Sequence, residues 1–84
     1  MKRKVLEYNS IFQKEDEGGY SVWVPTLPGC VSQGETFEEA KANIAEAITA
    51  YLESLAKDGE DIPEEDDKNV FIGQVKVGRP IAVA

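Results

Sequence analysis

The chain has 84 residues, of which 42% are hydrophobic and 30% charged, and its net charge is −7. A chain of this length has room for only one domain, which is predicted over residues 1–84. Such a domain buries roughly 60–65% of the surface that the unfolded chain exposes. It has no histidine, a single cysteine, and neither a membrane-length apolar run nor a signal-peptide core, so we expect a cytoplasmic protein without membrane contact.

The first strand is predicted over residues 4–13. Leu6, Tyr8 and Phe12 fall on one face of this stretch, and polar residues fall on the other. A charged stretch follows and ends in a double glycine. That pair is typical of a hairpin turn, because glycine tolerates the positive φ that such turns require.

The second strand is predicted over residues 20–24, where Tyr20, Val22 and Val24 share one face. Trp23 points the opposite way, away from the predicted core. Tryptophan is favoured at the centre of protein interfaces, so Trp23 is a candidate anchor for a partner. It could equally fill a second small cluster or a self-dimer interface.

A proline-rich and glycine-rich stretch separates the second strand from the third. Pro25 has no N–H to donate to a sheet, so the second strand must end there or move to an edge. Pro28-Gly29 predicts a turn, because proline fixes φ and glycine accepts the left-handed position. Residues 30–33 then form a short third strand that Gly34 closes.

The strongest local pattern predicts a long helix. Thr36 is the expected N-cap, with Glu39 completing a capping box, and Gly59 is the expected residue just past the C-terminus. This helix must cover an apolar surface, which the inward face of the strands supplies. Its apolar stripe consists of Phe37, Ala40, Ile44, Ala47, Ile48, Tyr51, Leu52 and Leu55.

The net charge has a local origin in residues 58–67, which we name the acidic segment. Its seven acids account for the whole net charge of −7, so the rest of the chain is balanced. Such a segment repels phosphates and is suited to steering a basic protein partner, or it is simply a solvated linker. The candidate partner-binding acids are Asp58, Glu60, Asp61, Glu64, Glu65, Asp66 and Asp67.

A fourth strand is predicted over residues 69–77, where Phe71, Val75 and Val77 share a face. Residues 78–84 could add an extended edge segment. The resulting order is β-β-β-α-β. We therefore expect an α+β fold, with one long helix packed on one face of a small, mostly antiparallel sheet.

The residues that carry chemistry in enzymes are scarce in this chain. Cys30 has no histidine base and no neighbouring cation, so we interpret it as a small packed hydrophobe. The strands hold almost no carboxylates, and the acidic segment lacks the spacing of a calcium loop. We expect no catalytic residue, no metal site and no cofactor, and hence no enzyme.

The stretch from residue 18 to residue 53 resembles the HicB-like antitoxin family, and the similarity extends over about residues 5–77. Members carry a Gly-Tyr strand, then Pro-x-Leu-Pro-Gly-Cys, then Gly-x-Thr-x-Glu-Glu-Ala at the start of a long helix. The matching positions are Gly19, Tyr20, Pro25, Leu27, Pro28, Gly29, Cys30, Gly34, Thr36, Glu38, Glu39 and Ala40.

The resemblance implies a partial ribonuclease-H-like fold and the role of antitoxin in a type II toxin–antitoxin pair. The implied partner is a small, basic, HicA-type toxin that cleaves messenger RNA, and a homo-oligomer is expected. The alternative function is a homo-oligomeric scaffold module that has no toxin. A small basic reading frame beside the gene would separate the two.

A DNA-binding regulator is a third interpretation, which depends only on Lys2, Arg3 and Lys4. Family members often add a C-terminal DNA-binding module, whereas only seven residues follow the last predicted strand. We therefore expect no direct binding of nucleic acid by this chain alone.

Overall fold

The computed structural model describes residues 5–65 and 71–82 and contains three strands followed by one helix. The strands form one antiparallel sheet in the order β1-β2-β3, and the helix packs against one face of it. The predicted α+β class is confirmed. The elements are β1 (Ile11–Lys14), β2 (Tyr20–Trp23), β3 (Val31–Gly34) and α1 (Phe37–Lys57).

Two consecutive turns connect β2 to β3 and confirm the predicted role of the prolines. The N–H of Leu27 donates to the carbonyl of Val24, and the N–H of Cys30 donates to the carbonyl of Leu27, both at 3.0 Å. Gly29 takes a φ of +83°, the left-handed position of the second turn. The Leu27 side chain is 0% exposed, so this stretch reverses the chain and contributes to the core.

Capping interactions hold both ends of α1, as predicted for Thr36 and Gly59. The Thr36 hydroxyl oxygen accepts from the N–H of Glu39 at 3.1 Å. At the other end Gly59 takes a φ of +71°, and the N–H of Glu60 reaches back to the carbonyl of Leu55 at 2.9 Å. This is a Schellman motif, which supplies donors to carbonyls that the helix cannot satisfy.

The start of α1 lies directly against the end of β3. A Cβ added at Gly34 would lie 2.4 Å from the backbone nitrogen of Ala40, so only glycine permits this approach. Further along the helix, the side-chain amide of Asn43 donates to the carbonyl of Gln33 at 2.8 Å.

The core lies between the sheet and the apolar stripe of the helix, as predicted. Around it, the rings of Phe12 and Phe37 pack with centroids 4.5 Å apart. The buried residues are Val22, Val24, Leu27, Cys30, Ala40 and Ile44. Partly buried hydrophobic residues packed against them are Tyr8, Phe12, Tyr20, Ala47, Ile48, Tyr51 and Leu52.

The first strand is shorter than predicted, because β1 begins at Ile11. The described residues before it interact with the chain that follows the helix. The Tyr8 hydroxyl donates to the carbonyl of Pro63, and the N–H of Asn9 donates to the carboxylate of Glu65 at 3.1 Å. Residue 4 of the predicted strand lies outside the described residues.

The structure corrects the fourth strand predicted over residues 69–77. Residues 71–82 form no strand, and residues 69 and 70 lie outside the described part of the chain. The alternating pattern makes one face apolar, but a strand also needs a neighbouring edge for its backbone hydrogen bonds. The ribonuclease-H-like arrangement, which includes that strand, therefore stays a prediction.

Candidate partner-binding surface

The helix covers one face of the sheet, and the opposite face carries a row of apolar side chains. Trp23 lies directly opposite Ile11 on one neighbouring strand and Val31 on the other. Directly opposed residues of antiparallel strands point to the same face, so these three side chains form one line, which we name the apolar row. Ile11 is 45% exposed, Val31 is 63% exposed and Trp23 is half-buried.

The apolar row is bounded by polar residues on the same face. Two residues along the strands, Ser21 lies opposite Gln13 and Gln33. A depression of about 480 Å³ adjoins the row, and its lining includes Trp23 and Pro28. An apolar centre with a polar border is the anatomy of a protein–protein interface.

The sequence predicted that Trp23 points away from the core, and the structure confirms this orientation. It did not single out Ile11 or Val31, because their position beside Trp23 depends on the pairing register. The double-glycine turn was the sequence feature from which this register could have been predicted. The N–H of Glu15 donates to the carbonyl of Gly19 at 3.0 Å, which fixes the hairpin and therefore the register.

The acidic segment begins at the C-terminal end of α1, where Asp58 is the C-cap. Glu60, Asp61 and Glu64 are exposed, and Glu65 is half-buried. Two further predicted partner-binding acids, Asp66 and Asp67, lie outside the described residues.

Glu65 connects the acidic segment to the open end of the β1–β2 hairpin. One of its carboxylate oxygens accepts from the N–H of Asn9 at 3.1 Å and from the Thr26 hydroxyl at 2.7 Å. Asn9 precedes Ile11 by two residues and Thr26 follows Trp23 by three. The carboxylate therefore lies near the end of the sheet at which the apolar row is found.

Cys30 belongs to the core, where it is 4% exposed. Burial raises the pKa of its thiol, so the nucleophilic thiolate is disfavoured at neutral pH. This environment fits the interpretation of Cys30 as a packed hydrophobe.

The described part of the chain spans residues 5–65 and 71–82. In these ranges no group of three or more cysteine, aspartate or glutamate side chains is arranged to hold a metal ion. Within the same ranges no helix is both long enough and apolar enough to cross a bilayer.

An apolar row with a polar border, next to an acidic segment, is a candidate surface for contacting another macromolecule. Such an arrangement is typical of small binding proteins. The sequence of the chain defines the family: residues 8–76 match the HicB-like antitoxins of bacterial toxin–antitoxin systems, and the chain belongs to that family.

Similar proteins occur in bacteria and archaea. A UPF0150 protein of Synechocystis sp. is 47% identical over 64 residues, which cover 76% of this chain and 81% of that protein. A UPF0150 protein of Thermoplasma acidophilum is 46% identical over 67 residues, 80% of this chain and 97% of its own length. Antitoxin HicB 1 of Photorhabdus laumondii is 33% identical over 81 residues, 96% of this chain but half of that antitoxin.

Proposed function

We propose that this chain is the antitoxin of a type II pair and that it binds and occludes a small, basic, HicA-type toxin. Membership of the HicB-like antitoxin family and similarity to Antitoxin HicB 1 support the antitoxin role. The observation that carries the proposal is the apolar row formed by Ile11, Trp23 and Val31. It lies on the face of the sheet that the helix leaves open. The chain would act in the cytoplasm, where the toxin meets messenger RNA.

Inhibition would work by occupying the toxin surface rather than by chemistry. The apolar row would anchor the complex, since desolvated apolar contacts at the centre of an interface supply most of the affinity. The acidic segment would attract the basic RNA-binding surface of the toxin and occupy positions meant for phosphates.

Co-expression with the adjacent reading frame tests the function. We expect the neighbour alone to arrest growth, the pair to restore it, and the two proteins to co-purify. A neighbour that is harmless, or toxic but neither bound nor neutralised by this chain, would overturn the proposal.

A matched pair of substitutions tests the surface. Val31 and Gln33 lie on the same strand and the same open face, and both are exposed. Val31→Asp places a charge within the apolar row, whereas Gln33→Asp adds the same charge in the polar border. We expect Val31→Asp to weaken toxin binding by about tenfold or more, because burying a charge without a partner is costly.

Gln33→Asp should change toxin affinity by less than about threefold, as peripheral charges usually do. Calorimetric titration of toxin into each variant measures both. Equal effects of the two variants would show that the apolar row is not the anchor.

Steering by the acidic segment is a separate step with its own test. Neutralising Asp58, Glu60, Asp61 and Glu64 to Asn or Gln leaves the hydrogen-bonded Glu65 in place. We expect slower association by about tenfold at low salt, a weaker salt dependence and little change in dissociation.

The control removes the same number of charges from other exposed sites. An unaltered association rate in the first variant, or an equal loss in the control, would discard local steering without affecting inhibition itself. The control positions are Asp16, Glu17, Glu38 and Glu46.

A homo-oligomeric scaffold without a toxin is the second candidate. The exposed apolar residues between Phe71 and Ile81 favour self-association, whether or not a toxin exists. The co-expression experiment separates the two functions, because a scaffold would neither rescue growth nor co-purify with the neighbour.

A further inference from the structure

The C-terminal segment, residues 71–82, carries large apolar side chains in contact with solvent. Phe71, Ile72, Val75, Val77 and Ile81 are between 85% and 93% exposed. Exposed apolar residues that cluster in this way mark a surface that another molecule covers.

The segment also has the pattern of a strand with one apolar face. In an extended conformation Phe71, Val75 and Val77 would share one side, while Ile72, Gln74 and Lys76 would lie on the other, so the first side is the more apolar. A strand of this kind needs an open sheet edge and an apolar surface beside that edge.

The described part of the molecule offers both features at one place. Strand β1 is the outer member of the sheet, with β2 as its neighbour on one side. On the helix side of the sheet, a groove of about 780 Å³ runs between α1 and the residues that precede β1. Its apolar lining includes Leu6, Ile48 and Leu52.

The C-terminal segment neither pairs with the β1 edge nor fills the groove of its own chain. The radius of gyration is 17.2 Å and the longest dimension is 64 Å. A compact chain of this length would have a radius of gyration of about 12 Å. The segment therefore lies away from the body of its own chain, where a second copy can reach it.

We propose that two copies form a symmetric dimer by exchanging their C-terminal segments. Residues 71–77 of each copy pair with the free edge of β1 in the other copy, and their apolar face fills the helix groove there. Twofold symmetry pairs both C-terminal segments with both β1 edges at once. No edge of this kind is left for a third copy, so the assembly ends at two chains. The dimer does not depend on the toxin, so it can be tested with the chain alone.

Sedimentation equilibrium of the purified full-length chain is the first measurement, and we expect the mass of two chains. Val75→Asp places a charge on the apolar face, and Gln74→Asp places the same charge on the polar face one residue away. We expect Val75→Asp to raise the dissociation constant of the dimer by about tenfold or more. Gln74→Asp should stay within about threefold of the unmodified chain, as a solvent-facing change.

A second matched pair tests the groove. Ala45 lines the groove and Ala42 does not, and both are exposed on α1. We expect Ala45→Glu to weaken the dimer about as strongly as Val75→Asp, and Ala42→Glu to leave it intact. Since neither alanine is buried, the far-ultraviolet circular dichroism of both variants should match that of the unmodified chain.

An isotope-filtered nuclear Overhauser experiment on a mixture of labelled and unlabelled chains identifies the exchange. We expect contacts between the methyl groups of Val75 and Val77 in one copy and those of Ile48 and Leu52 in the other. A monomer at all concentrations, a dimer insensitive to both Val75→Asp and Ala45→Glu, or contacts within one chain only would each overturn the proposal.

Discussion

Replacing Gly34 by alanine should destabilise the protein strongly, because the start of α1 leaves no room for a Cβ. The added atom would lie 2.4 Å from the backbone nitrogen of Ala40, 2.8 Å from the Cα of Ala40 and 2.8 Å from the carbonyl carbon of Glu39. Ordinary contact begins at 3.4 Å, so the helix start would have to move by about 1 Å. All three atoms belong to the backbone, and a side-chain rotation cannot relieve the clash.

The movement would disturb packing and capping together. Ala40 is 0% exposed, its N–H donates to the carbonyl of Thr36 at 2.9 Å, and Glu39 donates to the Thr36 hydroxyl. Overpacking in cores costs about 1–3 kcal/mol, and a clash with fixed backbone belongs at the upper end. We therefore expect the free energy of unfolding to fall by about 3 kcal/mol, which lowers Tm by roughly 12–24 °C in a domain of this size.

Urea denaturation and thermal melting followed by circular dichroism measure this loss at a fixed protein concentration. Gly78→Ala is the matched control, since a Cβ at Gly78 has no atom within 4 Å and its φ is not positive. We expect the control to lie within about 0.5 kcal/mol of the unmodified protein. If Gly34→Ala also stayed within that range, the close approach of helix and strand would not constrain this position.

Two further predictions concern pH and the connection at Glu65. Burial raises the pKa of the Cys30 thiol, so the unfolded chain loses this proton before the folded chain does. The contribution to stability should therefore be complete at pH values below the pKa of the unfolded thiol, and it should be lost as pH rises through the higher pKa of the folded thiol. Urea titrations across this range should show a smaller decrease for Cys30→Ala, and equal slopes would refute the assignment. Glu65→Ala removes the acceptor for Asn9 and Thr26 and should reduce the free energy of unfolding by about 1–2 kcal/mol. Glu60→Ala is the exposed control and should remain within about 0.5 kcal/mol, whereas similar losses would rule out a specific role for those bonds.

The turns and the helix ends could be predicted because their chemistry is local. Gly29 and Gly59 take the positive φ that their positions indicated, and Thr36 caps the helix that it precedes. Each feature depends on a few consecutive residues. The apolar period of the helix is also local, and it correctly identified the side that faces the core.

The extent of the strands was harder to predict, because pairing joins residues that are far apart in sequence. Tyr8 belongs to an alternating pattern that is typical of a strand, yet its hydroxyl bonds with Pro63, which follows 55 positions later. Val75 has the same kind of pattern and is exposed. Alternation indicates which side chains share a face, but it does not supply the neighbouring edge.

Only part of the candidate site could be predicted, again because strand pairing joins residues that are far apart in sequence. Alternation placed Trp23 away from the core, and the pairing register then added Ile11 and Val31 as its neighbours. Composition identified the acidic segment as a block. It could not show that Glu65 is engaged with Asn9 and Thr26, which gives that acid a structural role distinct from the exposed Glu60.

The apolar row and the helix groove lie on opposite faces of one sheet. The apolar row lies on the open face, whereas the groove beside β1 lies on the face that carries the helix. Toxin binding and exchange of the C-terminal segment would therefore use separate surfaces, and neither would exclude the other. It follows that Val31→Asp and Val75→Asp act on different equilibria, so their effects should be independent, as is usual for distant sites without shared partners. A dimer built in this way would keep two open faces, each able to occlude one toxin.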